Sequence, residues 1–435
     1  MNGKDLEKAL LWEAPHIGEK APEQIPEAQD FCEGYKTFLN EGKTERECVK
    51  KAVTLLENAG YQKFDPKASY KAGDKIYWNN RKKAIIASTI GTKDLNEGLR
   101  MNGAHIDSPR LDLKPNPLFE KDEIAYLKPH YYGGIRKYQW GTVPLSMHGV
   151  VVKADGEVVE ISIGENEGDP QFCVTDLLPH LASEQNGRKL AEGLKGEELN
   201  IIIGSIPYHD EENEKIKNPA KLLAMKLLNE RYGITEKDFT RAEIEMVPAY
   251  KAVDIGLDRG LVGAYGQDDR VCAYTALMAE IGTKNPEHTT FTILTDKEEI
   301  GSVGNTGLHS DYVHHAVEDL AESFGADTKT VLRHSICLSS DVNAAYDPTF
   351  ASVYESRNSS YVNKGCVLTK YTGARGKSGS SDASAETMAK VIGIMEENGV
   401  YWQTGELGAV DAGGGGTIAQ YVAMMDVDVV DLGVP

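Results

Sequence analysis

Two spacings of apolar residues alternate along the chain, one typical of helices and one typical of strands. The opening 60 residues predict helices, above all in FCEGYKTFLNEGKTERECVKKAVTLLENAG at 31–60, where Gly60 is a stop signal. KKAIIAST at 82–89 and LRMNGAHID at 99–107 then predict strands. Helices that alternate with strands indicate an α/β architecture.

From about Pro115 to Pro248 the pattern changes to short apolar runs between glycine-rich connections. YGGIRKYQW at 132–140 and SMHGVVVKADGEVVEISIG at 146–164 predict β-hairpins, the second with a turn at ADG. A charged loop, HDEENEKIKNPA at 209–220, and the amphipathic segment KLLAMKLLNERYG then lead out of this region. The region is predicted to be rich in β-structure.

The alternation of helices and strands resumes after Tyr250. It predicts helices at 269–282 and 382–399, and strands at 289–295, 334–341 and 425–433. The simplest organisation is one α/β domain that is split by an inserted β-rich domain. The predicted parts are residues 1–114 and 250–435 for the α/β domain and residues 115–249 for the insertion.

Composition and charge narrow the class of protein. The 435 residues carry 47 Lys and Arg against 67 Asp and Glu, and a formal charge of −20 argues against nucleic acid and anionic membrane surfaces as partners. The six cysteines are scattered without a Cys-x-x-Cys pair, which is the usage of a reducing compartment. No stretch approaches about 18 consecutive apolar residues, and the N-terminus lacks the apolar run of a signal peptide. We therefore predict a cytoplasmic protein that does not span a membrane.

Acidic residues and a histidine follow several of the predicted strands. In TDKEEIGS at 295–302, Glu298 and Glu299 come directly after an apolar run. His105 and Asp107 end the strand LRMNGAHID, and Asp341 ends HSICLSSD. Each of these has an ordinary explanation when it is taken alone, such as a solvated strand end or a turn.

Taken together, these strand ends predict a metal site. Ligands of α/β sheets collect outside the carboxyl ends of strands, and several acids that converge there repel one another unless a cation lies among them. One histidine with several carboxylates suits Zn²⁺, Mn²⁺ or Co²⁺, and a shared carboxylate can bridge two ions. Asp268 and Asp269, in YGQDDRVCAYTAL, have a competing explanation as helix N-cap and first-turn acid, which is strong for Asp269. Neither His-Glu-x-x-His nor a cysteine ligand set occurs.

Six segments of the chain together match a known pattern: GAHIDSP at 103–109, GQDDRVCAY at 266–274, TDKEEIGS at 295–302, SSDVNAAYDP at 339–348, KYTGARGKSGSSDASAE at 370–386 and DAGGGGTIAQYVA at 411–423. They resemble peptidase family M18, which includes aspartyl aminopeptidase, yeast vacuolar aminopeptidase I and bacterial type 1 aminopeptidases. The likeness spans nearly the whole chain. It implies a cocatalytic dizinc metalloaminopeptidase that removes N-terminal residues from peptides. It also implies a mixed-sheet catalytic domain of the zinc-exopeptidase kind with a β-rich dimerisation insertion, commonly assembled from dimers into a dodecamer.

The resemblance implies a role for each matching residue. Asp107 would orient a metal-binding histidine, and Glu298 would be the general base that takes a proton from the metal-bound water and passes it to the leaving amine. The cofactors would be two divalent ions, most simply zinc, with cobalt or manganese as alternatives. The metal ligands would be His105, Asp268 as the bridge, Glu299 and Asp341.

Four further residues are candidates for the site. His180, in LLPHLASEQ, matches a family histidine that reaches the site of the dimer partner, where it would touch metal or substrate; an ordinary interface histidine is the alternative. Lys370 would lie on the substrate side. The backbone amides of Gly414 and Gly415, at an expected helix start, could hold a substrate oxygen.

The sequence departs from the family pattern at two places. The family has one more metal-binding histidine shortly after Asp-Leu-Gly-x-Pro, whereas this sequence ends at Pro435 and has no histidine after His334. The expectation is that the sequence as given lacks one ligand, because it is either incomplete or truncated. Ala344 and Gly379 stand where aspartyl members carry a histidine and a tyrosine, so a preference for acidic N-terminal residues is not implied.

Three other functions are compatible with parts of the sequence. A catalytically dead peptide-binding scaffold would explain a missing ligand, and a related dizinc carboxypeptidase or deacylase would use the same chemistry. Nucleotide binding is the third, because RGKSG contains Gly-Lys-Ser. A Walker A loop, however, needs glycine where this chain has Tyr371, and GGGG at 413–416 lacks the Rossmann spacing.

Overall fold

The structure is a computed structural model, and it describes residues 2–209 and 216–435. The chain forms two compact units, one built from residues up to Asp107 and from Gln267 onwards, the other from Ser108 to Gly266. The domain boundaries expected from the sequence, after residues 114 and 249, both lie inside the second unit. Part of the predicted charged loop at 209–220 lies outside the described residues.

The helices and strands are numbered in chain order. The helices are α1 Gly3–Leu10, α2 Ile17–Lys20, α3 Ile25–Glu41, α4 Glu45–Asn58, α5 Ser183–Asn186, α6 Pro219–Tyr232, α7 Gln267–Gly282, α8 Tyr312–Phe324, α9 Thr328–Arg333, α10 Ala385–Glu397 and α11 Ala419–Ala423. The strands are β1 Gln62–Lys63, β2 Lys75–Asn80, β3 Ala84–Thr89, β4 Arg100–His105, β5 Arg110–Lys121, β6 Ile124–Tyr132, β7 Leu145–Val152, β8 Val158–Ile163, β9 Cys173–Val174, β10 Ile201–Gly204, β11 Ala242–Pro248, β12 Val253–Ile255, β13 Leu261–Gly263, β14 Thr290–Thr295, β15 Ile336–Ser339, β16 Cys366–Thr369, β17 Gly373–Ala374, β18 Trp402–Thr404, β19 Gly414–Gly415 and β20 Asp428–Gly433.

The first unit contains a nine-stranded mixed sheet in the order β1-β2-β3-β14-β4-β15-β20-β16-β18. Strand β4 is central and runs parallel to both of its neighbours, with His105 opposite Thr295 of β14 and Gly103 opposite Ser339 of β15. The carboxyl ends of these three strands therefore meet at one edge of the sheet. The α/β fold with a mixed sheet, expected from the sequence, is confirmed.

The core of the first unit explains why its strands are apolar. Strands that helices cover on both faces bury nearly every side chain, and β3 is buried along its whole length. Helix α4 begins at a capping box in which Thr44 and Glu47 satisfy each other's backbone amides. The largest core cluster includes Ile86, Met101, Phe291, Ile293, Val317 and Leu320.

The second unit is a seven-stranded sheet in the order β8-β7-β11-β5-β6-β10-β9, and its strand pairs are antiparallel. The hairpin predicted around ADG is present, since Val152 pairs with Val158 across a turn in which Gly156 has a φ of 89°. The hairpin predicted for YGGIRKYQW is wrong: β6 ends at Tyr132, and Lys137–Trp140 form a 3-10 helix. Gly133 and Gly134 end the strand there, because glycine is unfavourable in a strand and Gly133 adopts a φ of 74°.

None of the helices found in residues 2–209 and 216–435 has both the length and the apolar character that crossing a bilayer requires.

Candidate metal centre

The ends of three neighbouring strands bring the predicted residues together. His105 is the last residue of β4, Glu298 and Glu299 lie in the 3-10 turn after β14, and Asp341 follows β15. The parallel register places these ends side by side, since the residues pair along the whole length of β4 and β14. The site at the sheet edge is therefore built by topology from segments that are far apart in sequence.

His105 is held in one tautomer and points one nitrogen at the acids. Its ring is buried, and Nδ1 donates to the backbone carbonyl of Asp107 at 3.0 Å. Because a carbonyl can only accept, Nδ1 carries the proton, and in the neutral ring the lone pair lies on Nε2. Nε2 lies 3.1 Å from Asp268 Oδ1 and 3.8 Å from Asp341 Oδ1. This is the arrangement of a histidine that binds a metal through Nε2.

Asp107 contacts both His105 and the turn that carries the two glutamates. Its fully buried carboxylate accepts the backbone N–H of Glu298 at 3.1 Å and that of Glu299 at 3.2 Å. The same carboxylate lies 3.4 Å from His105 Nδ1. The expectation that Asp107 orients the histidine stays a prediction, and the structure adds that it also fixes the turn carrying the two glutamates.

Two groups of side chains have ligand atoms close enough to share an ion. His105, Asp268 and Glu299 form one group, and His105, Asp269 and Asp341 form the other, with the ligand atoms of each group within 4.8 Å of one another. Asp269 was expected to be a first-turn acid of a helix, but its backbone angles of φ −119° and ψ 37° are not helical. Its carboxylate is fully buried, and neither oxygen makes a well-formed hydrogen bond with the described residues. Sequence reasoning missed Asp269 because an acid at a helix start is common.

The pKa values of the crowded carboxyl groups favour a bound cation at this site. Burial, and after it the charge of Asp268, raises the pKa of Glu299 to about 8. Burial also raises the pKa of Glu298, and it raises the pKa of Asp341 well above the usual range with the help of Asp269. Burial by itself would lower the pKa of His105, but the surrounding carboxylates outweigh it and raise that pKa well above 6.5. Acids that are crowded and desolvated in this way fit a bound divalent metal, whose positive charge would relieve their repulsion.

A cavity of about 590 Å³ opens beside the metal centre. Its wall includes Asp268, Glu298, Glu299 and Asp341 together with the glycine-rich stretch 413–416. Gly414 and Gly415 form the strand β19, paired with β17, so the expected helix start at these residues is wrong; helix α11 begins at Ala419. Glycine is needed there because Gly414 has a φ of 119° and an added Cβ would lie 2.4 Å from the carbonyl oxygen of Gly373.

Four of the predicted site residues do not line the cavity: His105 and Asp107 of the metal centre, and Lys370 and His180. Lys370 Nζ pairs with Asp382 at 2.5 Å, whereas its neighbours Thr369 and Tyr371 line the cavity. Successive side chains of an extended segment point to opposite sides, which explains the difference. His180 is exposed on the 3-10 helix Pro179–Leu181 of the second unit. The roles expected for Lys370 and His180 stay predictions.

Asp431 is a further acid of the cavity wall that sequence reasoning did not single out. It is 5% exposed, and its Oδ1 accepts hydrogen bonds from Ser339 at 3.0 Å and Thr417 at 2.7 Å. Burial raises its pKa to about 7, against which the two hydroxyl groups act. The only signal in the sequence is an aspartate inside the apolar run VVDLG, where a charged residue is unusual.

Comparison with known proteins identifies the family. The sequence profile described as aminopeptidase I zinc metalloprotease (M18) matches residues 38–435. The probable M18 family aminopeptidase 1 of Clostridium acetobutylicum is 49% identical over 420 residues, covering 94% of this chain and 90% of that protein. The probable M18 family aminopeptidase 1 of Thermotoga maritima is 46% identical over 412 residues, covering 94% and 90%.

A solved structure from the same family has a fold similar to that of this chain. The crystal structure of an M18-family aminopeptidase from Thermotoga maritima is 44% identical, covers 97% of this chain and 93% of its own, and has a TM-score of 0.93. The matched range 38–435 contains every residue of the two metal-binding groups. The family that the six motifs predicted is thereby confirmed, and the chain belongs to the M18 aminopeptidases, a family of zinc metalloproteases.

Proposed function

We propose that the protein is a dizinc aminopeptidase that removes the N-terminal residue of peptides with Glu298 as its general base. The observation that supports this most strongly is the buried His105 facing a cluster of carboxylates at the mouth of one cavity. An acidic cluster of this kind is unfavourable without a cation. Family membership adds zinc as the metal.

His105, Asp268, Glu299 and Asp341 would hold the two ions, with Asp268 as the bridge. Asp269 joins this set, because it belongs to a metal-binding group together with His105 and Asp341. When bound, zinc would polarise the scissile carbonyl group and lower the pKa of water.

Glu298 is placed to move protons. Its Oε2 lies 3.9 Å from His105 Nε2, and the hydrogen bond from its backbone N–H to Asp107 fixes its position. Burial raises its pKa, which brings the carboxyl closer to the pH at which it can both accept and return a proton. Glu298 would take a proton from the attacking water and deliver it to the nitrogen of the leaving amine. Gly414 and Gly415 remain candidate substrate contacts because they line the same cavity.

The second unit is proposed as a dimerisation domain, and the dimers as parts of a dodecamer. Apolar side chains around His180 are unusually exposed, at 50% for Leu177, 52% for Leu178 and 65% for Leu181. Exposed apolar residues that follow one another in sequence are typical of a surface that another protein covers. Light scattering of the purified protein would test this, and a monomeric mass at micromolar concentration would contradict it.

An assay with aminoacyl chromogenic substrates tests the activity. We expect hydrolysis that stops when a chelator removes zinc and returns when zinc is added back. N-acetylated versions of the same substrates are the matched control, because an aminopeptidase requires the free amine and should leave them intact. Cleavage of the acetylated substrates would point to a deacylase or carboxypeptidase instead, and a zinc-loaded protein without turnover would be a binding scaffold.

A further inference from the structure

We propose that Arg375 binds the C-terminal carboxylate of short peptides, so that the preferred substrates are peptides small enough to lie whole within the cavity. The inference rests on the proposed aminopeptidase function and names its substrate class. It comes from the segment RGKSG, whose glycine, lysine and serine do not form a phosphate-binding loop.

Arg375 stands at the tip of a small, well-fixed hairpin. Ala374 and Ser378 exchange both backbone hydrogen bonds, at 3.1 and 3.0 Å, and enclose the tip Arg375-Gly376-Lys377. The adjoining strand β17 pairs with β19, and Thr372 N–H donates to Ser380 Oγ at 3.0 Å. All three tip residues line the cavity. The backbone that carries Arg375 is therefore fixed at the cavity wall.

The two cations of the tip differ in what they contact. Lys377 Nζ lies 2.8 Å from Asp382 and 3.7 Å from the centroid of the Tyr371 ring. The side chain of Arg375 is exposed and has no ion pair, hydrogen bond or ring contact with any of residues 2–209 and 216–435. Lys377 therefore already contacts protein, through a carboxylate that it shares with Lys370, while the guanidinium of Arg375 makes no such contact and is available to a ligand.

The other charged residues of the cavity wall indicate what kind of ligand the guanidinium of Arg375 can bind. Of the residues that the structure describes, six acids and two bases, Arg375 and Lys377, line the wall. Four of the acids, Asp268, Glu298, Glu299 and Asp341, belong to the metal centre and its base. Of the other two, Glu406 accepts a hydrogen bond from the Tyr371 hydroxyl at 2.5 Å, and Asp431 accepts from two hydroxyl groups. Two bound zinc ions would offset the charge of the four acids at the metal centre. A carboxylate at the rest of the wall would then meet Glu406 and Asp431, and the guanidinium of Arg375 is available to pair with it.

The volume of the cavity indicates that the carboxylate bound by Arg375 is the C-terminus of a short peptide. A volume of about 590 Å³ is of the order that encloses a drug-sized molecule, and so a peptide of a few residues. With its N-terminal bond at the metal centre, such a peptide brings its own C-terminus inside the acidic wall. A longer peptide leaves its C-terminus outside. Guanidinium groups pair with carboxylates through two parallel hydrogen bonds, a geometry that lysine cannot supply.

The test compares trialanine with trialanine amide. We expect the wild-type protein to cleave the free acid with a kcat/KM about tenfold higher, the size of effect for a hydrogen-bonded charge pair. Arg375→Gln should abolish this ratio by slowing the free acid alone. Arg357→Gln is the matched control, because Arg357 is also an exposed arginine of the same unit, is paired with Glu355 at 3.3 Å, and is absent from the cavity wall. It should keep the ratio.

Several results would overturn the inference. One is a wild-type kcat/KM for trialanine that is about the same as that for trialanine amide. Another is a ratio of these two kcat/KM values that Arg375→Gln leaves unchanged. A third is a loss of kcat/KM in Arg375→Gln that occurs only with peptides that have acidic side chains. Arg375 would then bind a substrate side chain and not the C-terminal carboxylate. If neither peptide is cleaved the proposed function fails. Calorimetric binding of the two peptides to the protein then still decides the role of Arg375, since only tighter binding of the free acid, lost in Arg375→Gln, supports it.

Discussion

Two adjacent glutamates share one backbone support and have different surroundings. Asp107 accepts the amide hydrogens of both residues, so a single buried carboxylate fixes the turn from which the two side chains project. Glu299 belongs to a group with His105 and Asp268 whose ligand atoms are close enough to share an ion, whereas Glu298 belongs to neither of the two such groups found in the described chain. This difference is the physical basis for assigning metal binding to Glu299 and proton transfer to Glu298.

Substitution of single residues separates these two roles. Glu298→Gln should keep the zinc content and lower kcat by several orders of magnitude, because the amide cannot accept the proton while the metal ligands remain. Asp268→Ala should instead lose zinc, since it removes the carboxylate 3.1 Å from His105 Nε2. Atomic absorption of the two dialysed variants measures the metal, and steady-state kinetics measures kcat. Zinc loss in Glu298→Gln with full occupancy in Asp268→Ala would reverse the assignment.

Residues of the site were predictable where they follow strands and match a motif. His105, Asp107, Glu298, Glu299 and Asp341 come at the ends of apolar runs, where the topology of an α/β sheet collects ligands. The sequence misled at Asp269 and was silent about Asp431. The first has the ordinary explanation of a helix start, and the second lies inside an apolar strand whose neighbours are known only from the fold.

At the scale of the elements, the paired strands β17 and β19 form part of the cavity wall. They join Gly373–Ala374 with Gly414–Gly415, segments about 40 residues apart in sequence. The glycines at 413–416 suggested a helix start, because glycine-rich turns often precede helices. The pairing instead requires glycine for close approach of two backbones, and no local pattern distinguishes these two uses.

Adding one methyl group tests this contact. Gly414→Ala should destabilise the protein by about 1–3 kcal/mol, because alanine at a φ of 119° is strained and its Cβ would lie 2.4 Å from a carbonyl oxygen. It should also lower kcat/KM without loss of zinc, since β19 contributes no metal ligand. Urea unfolding and metal analysis make the measurements. Gly376→Ala is the control, because a Cβ there meets nothing within 4 Å. Equal effects of the two substitutions would contradict the role of the contact.

At the scale of the whole molecule, the sequence predicted an α/β fold with a β-rich insertion more securely than it predicted the cavity. Periodicity identified β3 and β14 as short apolar runs, and β4 and β20 as segments in which apolar residues are mixed with polar ones. Most of the cavity wall comes from loops and two short strands at 341–344, 371–377, 406–410 and 413–417. Asp268, Glu298, Glu299, Thr369, Asp431 and Gly433 complete it. Loops of this kind have no periodicity, so their meeting point follows only from the order of the strands. The cytoplasmic location and the oligomeric state stay predictions.

Removal of zinc should make the stability of the whole molecule depend on pH in a particular direction. Burial raises the pKa of Glu299 to about 8 and that of Asp341 well above its usual range. These groups favour folding most below their unfolded pKa of about 4 and lose that contribution as the pH rises through the folded pKa. The chelated protein should therefore lose stability between about pH 5 and pH 8. Zinc supplies the missing positive charge, so its stabilising effect should grow over the same interval.

Thermal unfolding of zinc-loaded and chelated protein at matched pH values measures this effect. We expect the gain in Tm on adding zinc to be larger at about pH 8 than at about pH 5.5, because the carboxyls of the metal centre are then increasingly ionised and repel one another. Glu299→Gln should flatten the pH dependence of the chelated protein, since the amide does not titrate in this range. Glu355→Gln is the control, because Glu355 is a partly exposed acid with a lowered pKa that is not a residue of the metal centre; this variant should leave the pH dependence unchanged. A gain in Tm that is constant or decreases towards pH 8 would show that the crowded carboxylates are not what zinc stabilises.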